Sequence, residues 1–303
     1  MKHDADIGRS RLPSEAACNI CGGAKARHLF TKNGFDLVEC QSCGLAYIAN
    51  PPDQEGVAGI YTATADYHTG LLDPGSGMFA RMGKIARQHM RALRKQVSDG
   101  SNRSLLDIGC SSGLFLAEAR DAGFTVEGLE LSPQTSAFAR EHFGLKVTEG
   151  LLDDAGFADE SFDVVTLFDV IEHVPDPLGK LARVRRILRP GGLLMLSTPN
   201  IDGLFPRASH ALAKRLDYWP HPEPPHHLFQ FSVRTMRAML EKAGFEPGAV
   251  QQTRIGLDYS FGTPAAWKAS PKMLAYAALF APLAIAGPWL GMGDWFYLAA
   301  RRT

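Results

Sequence analysis

Ser104-Leu-Leu-Asp107-Ile-Gly109-Cys-Ser-Ser-Gly113-Leu-Phe-Leu116 is an apolar run that breaks into a glycine-rich turn and resumes at helical spacing. Such a pattern is a buried strand, a tight loop and the first turn of a helix. The glycines let the backbone turn sharply and approach a ligand without a Cβ clash. The ligand then lies against the amides at the following helix N-terminus. A pyrophosphate-binding turn would read G-x-G-x-x-G, whereas this one reads D-x-G-x-x-x-G. Asp107, at the strand end, suits a positively charged ligand. A second acid, Glu130 in Gly128-Leu-Glu-Leu-Ser-Pro133, follows the glycines, and a carboxylate about 20 residues beyond such a turn can take the two hydroxyls of a ribose.

Working outward, strand-like runs at Leu105–Ile108, Thr125–Leu129, Leu145–Glu149, Val164–Phe168 and Leu193–Ser197 alternate with helical patterns near Phe115–Ala122, Thr135–Phe143 and Leu178–Leu188. This alternation implies right-handed βαβ crossovers and a mostly parallel sheet. Ligands of such sheets bind outside the carboxyl ends of the strands, at the switch in strand order. Ser232–Gly244 adds an amphipathic helix with Ser232 as N-cap and Gly244 as its close. Val250–Leu257 and Trp295–Ala300 read as two final strands.

Upstream, Met82, Ile85, Ala86, His89, Met90 and Leu93 recur at helical spacing and predict a helix packed on the main domain. Further upstream, Cys18-x-x-Cys21 and Cys40-x-x-Cys43 account for four of the five cysteines. Paired knuckles at this separation are typical of four-thiolate zinc sites, whose closed shell stabilises a fold and leaves no position for chemistry. Met1–Cys21 has no apolar core of a secretory signal, so a cytoplasmic location is expected. A formal net charge of zero argues against a nucleic-acid partner gripped through phosphates.

Five segments resemble, in order, the class I (Rossmann-like) methyltransferases that use S-adenosylmethionine: LLDIGCSSGLFL (Leu105–Leu116), GLELSP (Gly128–Pro133), SFDVVTLFDVIEHVPDP (Ser161–Pro177), ILRPGGLLMLSTPN (Ile187–Asn200) and PHHLFQFSVRTMRAMLEKAGF (Pro225–Phe245). The likeness covers about half the chain. CQSCGLAY (Cys40–Tyr47) with Asn50-Pro-Pro52 resembles the zinc-ribbon-bearing subset associated with sugar and natural-product modification. The resemblance implies an α/β fold: a seven-stranded Rossmann-like sheet with helices on both faces, plus an N-terminal zinc ribbon. The expected division is a ribbon module over 1–52, a helical connector over 53–102 and a methyltransferase domain over 103–303, with an apolar helical insert at about 265–292.

It also implies a site. Asp107, Gly109, Cys110, Gly113, Glu130, Leu131, Leu151, Leu152, Phe168 and Asp169 are the expected contacts of S-adenosylmethionine, and Cys18, Cys21, Cys40 and Cys43 the ligands of a structural zinc. Where many relatives carry an Asp after Gly150, this chain has Leu151 and Leu152, with Asp153 and Asp154 beyond. Glu172, His173 and His227 are the candidate catalytic groups, since a hydroxyl acceptor needs its proton removed by a base or a metal. Asp169, Glu172 and His173 would share one face if a helical turn starts at Asp169. An E-H pair in quinone-modifying methyltransferases makes a divalent metal at this site a lesser alternative. Tyr218, Trp219 and Phe229 are candidates for an apolar wall around the acceptor, with His221 and His226 as weaker site residues.

Met273–Gly293 carries no charge and is long enough for a membrane span, but Pro282, Gly287 and Pro288 interrupt it. It reads as a buried insert or lid over the acceptor, as a peripheral contact with the inner face of a membrane or a lipid-linked acceptor, or as a dimer contact. The expected reaction is methyl transfer to a small-molecule or glycan-type acceptor, at oxygen. The alternatives are an RNA methyltransferase using the ribbon, an NAD-dependent oxidoreductase, for which the required glycine pattern is absent, and a non-catalytic cofactor-binding protein.

Overall fold

The protein is described here from a computed structural model, which covers residues 17–52, 70–97, 99–216 and 222–303. An N-terminal hairpin, β1 (Ala26–Lys32) and β2 (Phe35–Cys40), is followed by β3 (Ala46–Ile48) and the helix α1 (Gly77–Arg94). The predicted strand–helix alternation comes next: β4 (Ser104–Ile108), α2 (Leu114–Asp121), β5 (Thr125–Glu130), α3 (Pro133–Phe143), β6 (Val147–Glu149) and β7 (Phe162–Phe168). It continues through α4 (Pro177–Ile187), β8 (Leu188–Pro199), α5 (Leu204–Leu216), the two-residue β9 (Phe229–Gln230) and α6 (Val233–Lys242). The chain closes with β10 (Phe245–Thr253), the helices α7 (Leu257–Phe261), α8 (Pro264–Ala269) and α9 (Pro271–Ala286), and β11 (Trp295–Arg302).

The main sheet has seven strands in the order β10-β11-β8-β7-β4-β5-β6. β4 to β8 run parallel, while β11 is antiparallel to β8 and β10 to β11. The crossovers from β4 walk outward to β6, and the chain then returns to place β7 on the other side of β4. The switch point therefore falls between β4 and β7. Strands covered on both faces read as unbroken apolar runs, which is why β4 and β7 stand out in the sequence. Leu105 and Val164 pack on one face, with Leu93 of α1 and Leu116 of α2. Leu106, Ile108 and Val165 pack on the other, with Leu181 of α4 and Met239 of α6.

A second sheet has the order β1-β2-β3-β9. Its outer strand comes from far along the chain, with Ala46 paired to Gln230 and Tyr47 to Phe229. Ile20, Leu45 and Tyr47 share one hydrophobic cluster with the β4 and β7 side chains, so packing does not stop at residue 52. Asn19 Nδ2 donates to Asp176 Oδ1 (2.9 Å), Arg234 Nη1 to the Cys43 carbonyl (2.6 Å), and Lys242 Nζ to the Ile20 carbonyl.

Two expectations are corrected. The first late strand begins at Phe245 and ends at Thr253, and Leu257 opens a helix. Glu246-Pro-Gly248 hides the strand start, and edge strands tolerate such a proline. Pro282 does not end the apolar helix, which runs on to Ala286; the break comes at Gly287-Pro288.

The loops after β4 and β7 touch because residue 109 has no side chain. Gly109 has φ +76°, and a Cβ there would lie 2.6 Å from Val170 Cγ2. Gly109→Ala is expected to lower stability by about 1–3 kcal/mol, read as a lower urea midpoint at unchanged slope. An unaltered midpoint would mean that the loop yields at no cost.

Candidate active site

The carboxyl ends of β4 and β5 hold the first half of the site. Glu130 accepts from the Ser111 amide through Oε2 and from the Ser132 amide through Oε1, both at 2.8 Å. The two loops that flank the site are thus tied to one carboxylate. A carboxylate has about four acceptor positions, so two remain for donors on a ligand. Beneath the loop, Asp107 is buried and accepts from Thr166 Oγ1 at 2.6 Å. Burial pushes its carboxyl up to about 7, against the pull of the Thr166 bond, and nearby Glu130 adds to the rise.

Not every expected contact faces the cleft. The Cys110 thiol belongs to the core cluster of one sheet face and fills space that a Cβ on Gly128 would occupy. Leu152 is buried, while Leu151 is half exposed. Leu131 is partly buried beside Glu130. Asp153 pairs with Arg183 at 3.0 Å and Lys180 at 3.8 Å, which draws it toward α4. Gly113 opens α2 at φ +82°, packed against Leu145 and Ala139.

Across the switch point, β7 ends in Phe168, whose ring stacks on His89 of α1 with centroids 4.2 Å apart. His89 is buried and donates or accepts at Nδ1 with the Tyr297 hydroxyl; desolvation holds it at about 3. Asp169 sits at φ +58° and accepts from Ser197 Oγ and from Trp295 Nε1 (2.9 Å). Burial lifts it to about 6, with both hydrogen bonds opposing the rise.

The next turn, Ile171–His173, is a short 3-10 helix. Glu172 is buried, beside the Thr198 hydroxyl, and neither of its oxygens makes a well-formed hydrogen bond among the described residues. Burial, reinforced by Asp169, raises it well above its ordinary value. His173 Nδ1 lies 2.8 Å from the His226 carbonyl. A carbonyl only accepts, so Nδ1 carries the hydrogen and Nε2 is the nitrogen that can take a proton. Burial lowers His173 to about 4, which keeps its ring neutral at pH 7. His227 meets it edge to face at 4.7 Å. One ligand atom each from Glu172, His173 and His227 falls within a 4.8 Å cluster.

His227 is carried by a loop held from two sides. The Leu228 amide donates to the Glu172 carbonyl (2.8 Å), and the Ile48 amide of β3 to the Leu228 carbonyl (2.9 Å). At the hairpin tip, Lys32 Nζ donates to the Pro222 carbonyl (2.6 Å) and Asn33 Nδ2 to the Pro224 carbonyl (3.2 Å). Next to His227 lies a cleft bounded by Phe205, Glu223, Tyr259, Asp294 and Trp295. The Tyr259 hydroxyl donates to Glu223 Oε1 (2.9 Å). Asp294 is buried and accepts from the Ile255 amide through Oδ1, while Oδ2 has no hydrogen bond among the described residues. Burial raises it to about 7.

Glu223 and Asp294 were missed in the sequence reading. Glu223 stands among prolines, and Asp294, the acid that ends the uncharged stretch, was the available signal. Phe229, expected on the acceptor wall, is instead buried in the core beside Phe231. Tyr218, Trp219 and His221 lie outside the described residues.

The four cysteines of the ribbon converge as their spacing predicts. All four Sγ atoms fall within 4.8 Å of one another, with Cys18–Cys43 at 3.4 Å and Cys21–Cys40 at 3.5 Å. No disulfide joins them. Three basic residues of the hairpin have partners within the protein: Arg27 pairs with Glu39 and His28 with Asp36 at the surface, and Lys32 reaches Pro222.

A family of methyltransferase domains matches residues 80–250. A ubiquinone biosynthesis O-methyltransferase of Hydrogenovibrio crunogenus is 32% identical over 131 residues, 41% of this chain and 54% of that protein. A probable S-adenosylmethionine-dependent methyltransferase of Mycolicibacterium smegmatis is 29% identical over 161 residues, 53% of this chain and 58% of that one. The chain thus spans about half the length of these curated relatives. Among solved structures, the (4+2)-cyclase SpnF superposes with a TM-score of 0.54 at 18% identity, over 83% of this chain and 97% of that chain. That likeness is one of fold.

Asp107 sets a pH dependence. Its folded value of about 7 lies above the ordinary 3.8. Between these two values the unfolded chain has lost the proton and the folded chain keeps it, so this group makes stability fall as pH rises from about 4 to 7 and adds no slope beyond. Asp107→Asn is expected to flatten part of that fall in urea midpoints taken across the range. An unchanged slope would mean that Asp107 is already ionised in the folded protein.

Proposed function

The chain belongs to the family of methyltransferase domains, and on that premise we propose that it methylates an oxygen of a small-molecule or glycan-type acceptor from S-adenosylmethionine. The observation that carries this reading is the convergence of His173, His227 and Glu172 across the switch point from the Glu130-tethered loop. When bound, S-adenosylmethionine supplies an activated methyl on a sulfonium and leaves as S-adenosylhomocysteine.

The residues present fit that donor. Glu130 keeps acceptor positions for ribose hydroxyls, and a cationic group bound above Asp107 would favour the ionised form of that buried acid. Phe168, braced by His89, forms the floor between donor and acceptor. The protein's main contribution is alignment, which can supply about 7–11 kcal/mol of a barrier. His173 Nε2 or His227 takes the acceptor's hydroxyl proton as the new C–O bond forms. Glu172 contributes a buried carboxyl group that orients the acceptor oxygen. Glu223 and Asp294 bind further polar groups of the acceptor, against the apolar wall of Phe205 and Trp295.

The cysteine cluster fits zinc, because a tetrahedral site with Zn–S bonds near 2.3 Å has S···S edges of about 3.8 Å, close to the spacings in the ribbon. Such a zinc would hold β1–β3 in place and take no part in the chemistry. A divalent cation held by Glu172, His173 and His227 is a second reading, favoured by their mutual approach. One carboxylate and two imidazoles suit a transition metal better than magnesium. Metal content separates the two sites: Glu172→Gln would remove only a metal at the triad.

Calorimetric titration with S-adenosylmethionine and S-adenosylhomocysteine, with NAD as control, tests the donor. Micromolar binding is expected, weakened roughly 10- to 100-fold in Glu130→Ala through the lost charge-assisted hydrogen bonds. A folded protein that binds neither ligand would sink the proposal. Once an acceptor turns over, His227→Ala or His173→Ala is expected to lower kcat roughly 10²–10⁴-fold with donor affinity kept. Parallel losses in donor affinity would instead make these histidines structural.

A further inference from the structure

The helices between β10 and β11 carry an apolar surface that the site does not use. Phe205, Phe261, Ala277, Phe280 and Ala284 form a small core of their own beneath α9. The opposite side of α9 is equally apolar. Leu274, Ala278, Pro282 and Ile285 recur at steps of three or four residues along that side, and Trp289 follows in the next turn, all exposed. Leu279 is 54% exposed, Leu290 65% and Trp289 89%. Only 22% of an 18-residue window within Pro271–Leu290 is buried, although it matches a membrane helix in length and composition. A helix apolar all round belongs in a protein core or against lipid, and a core covers only one side of this one.

Charge along the segment selects the occupant. From Tyr259 to Gly293 there is no acidic residue, and the only charges are Lys268 and Lys272, both exposed where α8 meets α9. At the other end stands Trp289, of the residue type that anchors at the headgroup level. Cations at one end, an interfacial aromatic at the other and an exposed apolar face between them, on a helix whose other side is held by the protein, suit contact with a membrane surface.

We infer that α9 and the turn Gly287–Leu290 dock this protein on an anionic phospholipid surface, lying in it and not across it. The docked segment adjoins the acceptor side of the site: Phe205 belongs both to the small core and to the cleft wall, and Tyr259 of α7 lines that cleft. If the cleft is the acceptor site, as proposed above, the acceptor is an amphiphile met at the interface.

Sedimentation of the full-length protein with vesicles tests the docking without reference to methyl transfer. Vesicles of phosphatidylcholine with phosphatidylglycerol are compared with phosphatidylcholine alone. The protein is expected to pellet with the anionic vesicles and to be released by salt. Lys268→Gln with Lys272→Gln should weaken partitioning about 25-fold, at about 1 kcal/mol per charge near an anionic surface. Leu279→Gln with Trp289→Gln should weaken it more than tenfold, while circular dichroism and S-adenosylmethionine binding report an intact fold. Failure of the wild-type protein to pellet with either vesicle would overturn the inference. So would a dimer in analytical ultracentrifugation that Trp289→Gln dissociates, because the face would then cover a second copy. Docking without donor binding would leave this inference standing and remove the one above.

Discussion

The placement of one loop governs the candidate active site of this molecule. Residues 222–230 supply Glu223, His227 and the His226 carbonyl that fixes the His173 tautomer, yet they contain only two residues of strand. Their position is borrowed. Lys32 and Asn33 grip the Pro222 and Pro224 carbonyls, β3 pairs with β9, and Leu228 links the Ile48 amide on one side to the Glu172 carbonyl on the other. The four-cysteine ribbon therefore acts as a brace for the loop, and the 3-10 turn that carries Glu172 and His173 is set by the same hydrogen bonds.

The electrostatics of the strand ends point the same way. Asp107, Asp169, Glu172 and Asp294 are all raised by burial. Burying carboxyl groups costs free energy unless they are paired, and such groups gather where a site needs them. Asp107 and Asp169 are each hydrogen-bonded and resemble parts of a scaffold held ready. Glu172 and Asp294 keep polar atoms without partners among the described residues and point to where a ligand's donors belong. Burial disfavours charge on both Glu172 and His173, which lie side by side in this turn.

The parts of this arrangement legible in the sequence are those fixed by local chemistry. The β4–loop–α2 unit is written in adjacent residues, because a parallel strand is a continuous apolar run and the turn after it needs glycine. Glu130 and the cysteine pairs were equally visible, since spacing alone brings their atoms together. Cys110 was misleading: it occupies the right loop, but its thiol fills the space above Gly128. Phe229 misled for a similar reason, as an alternating two-residue strand sends it into the core. Asp294 and Glu223 lie far apart in sequence and border one cleft only through tertiary packing, which no local pattern encodes. The insert's length and lack of charge were legible, while the exposure of its outer side depended on which face α5 and α7 cover.

The pairing of β3 with β9 also shapes how the chain reaches this state. Ala46 finds its partner Gln230 only after most of the main sheet has been made. A contact of such long range is slow to close and must await its second strand during synthesis. Until then the ribbon's Ile20, Leu45 and Tyr47 have neither β9 nor the α4–α6 face to cover them. A module synthesised before the main sheet is thus among the last to be completed. A nascent chain halted before residue 229 would carry an open sheet edge at β3, and edges of that kind recruit other strands.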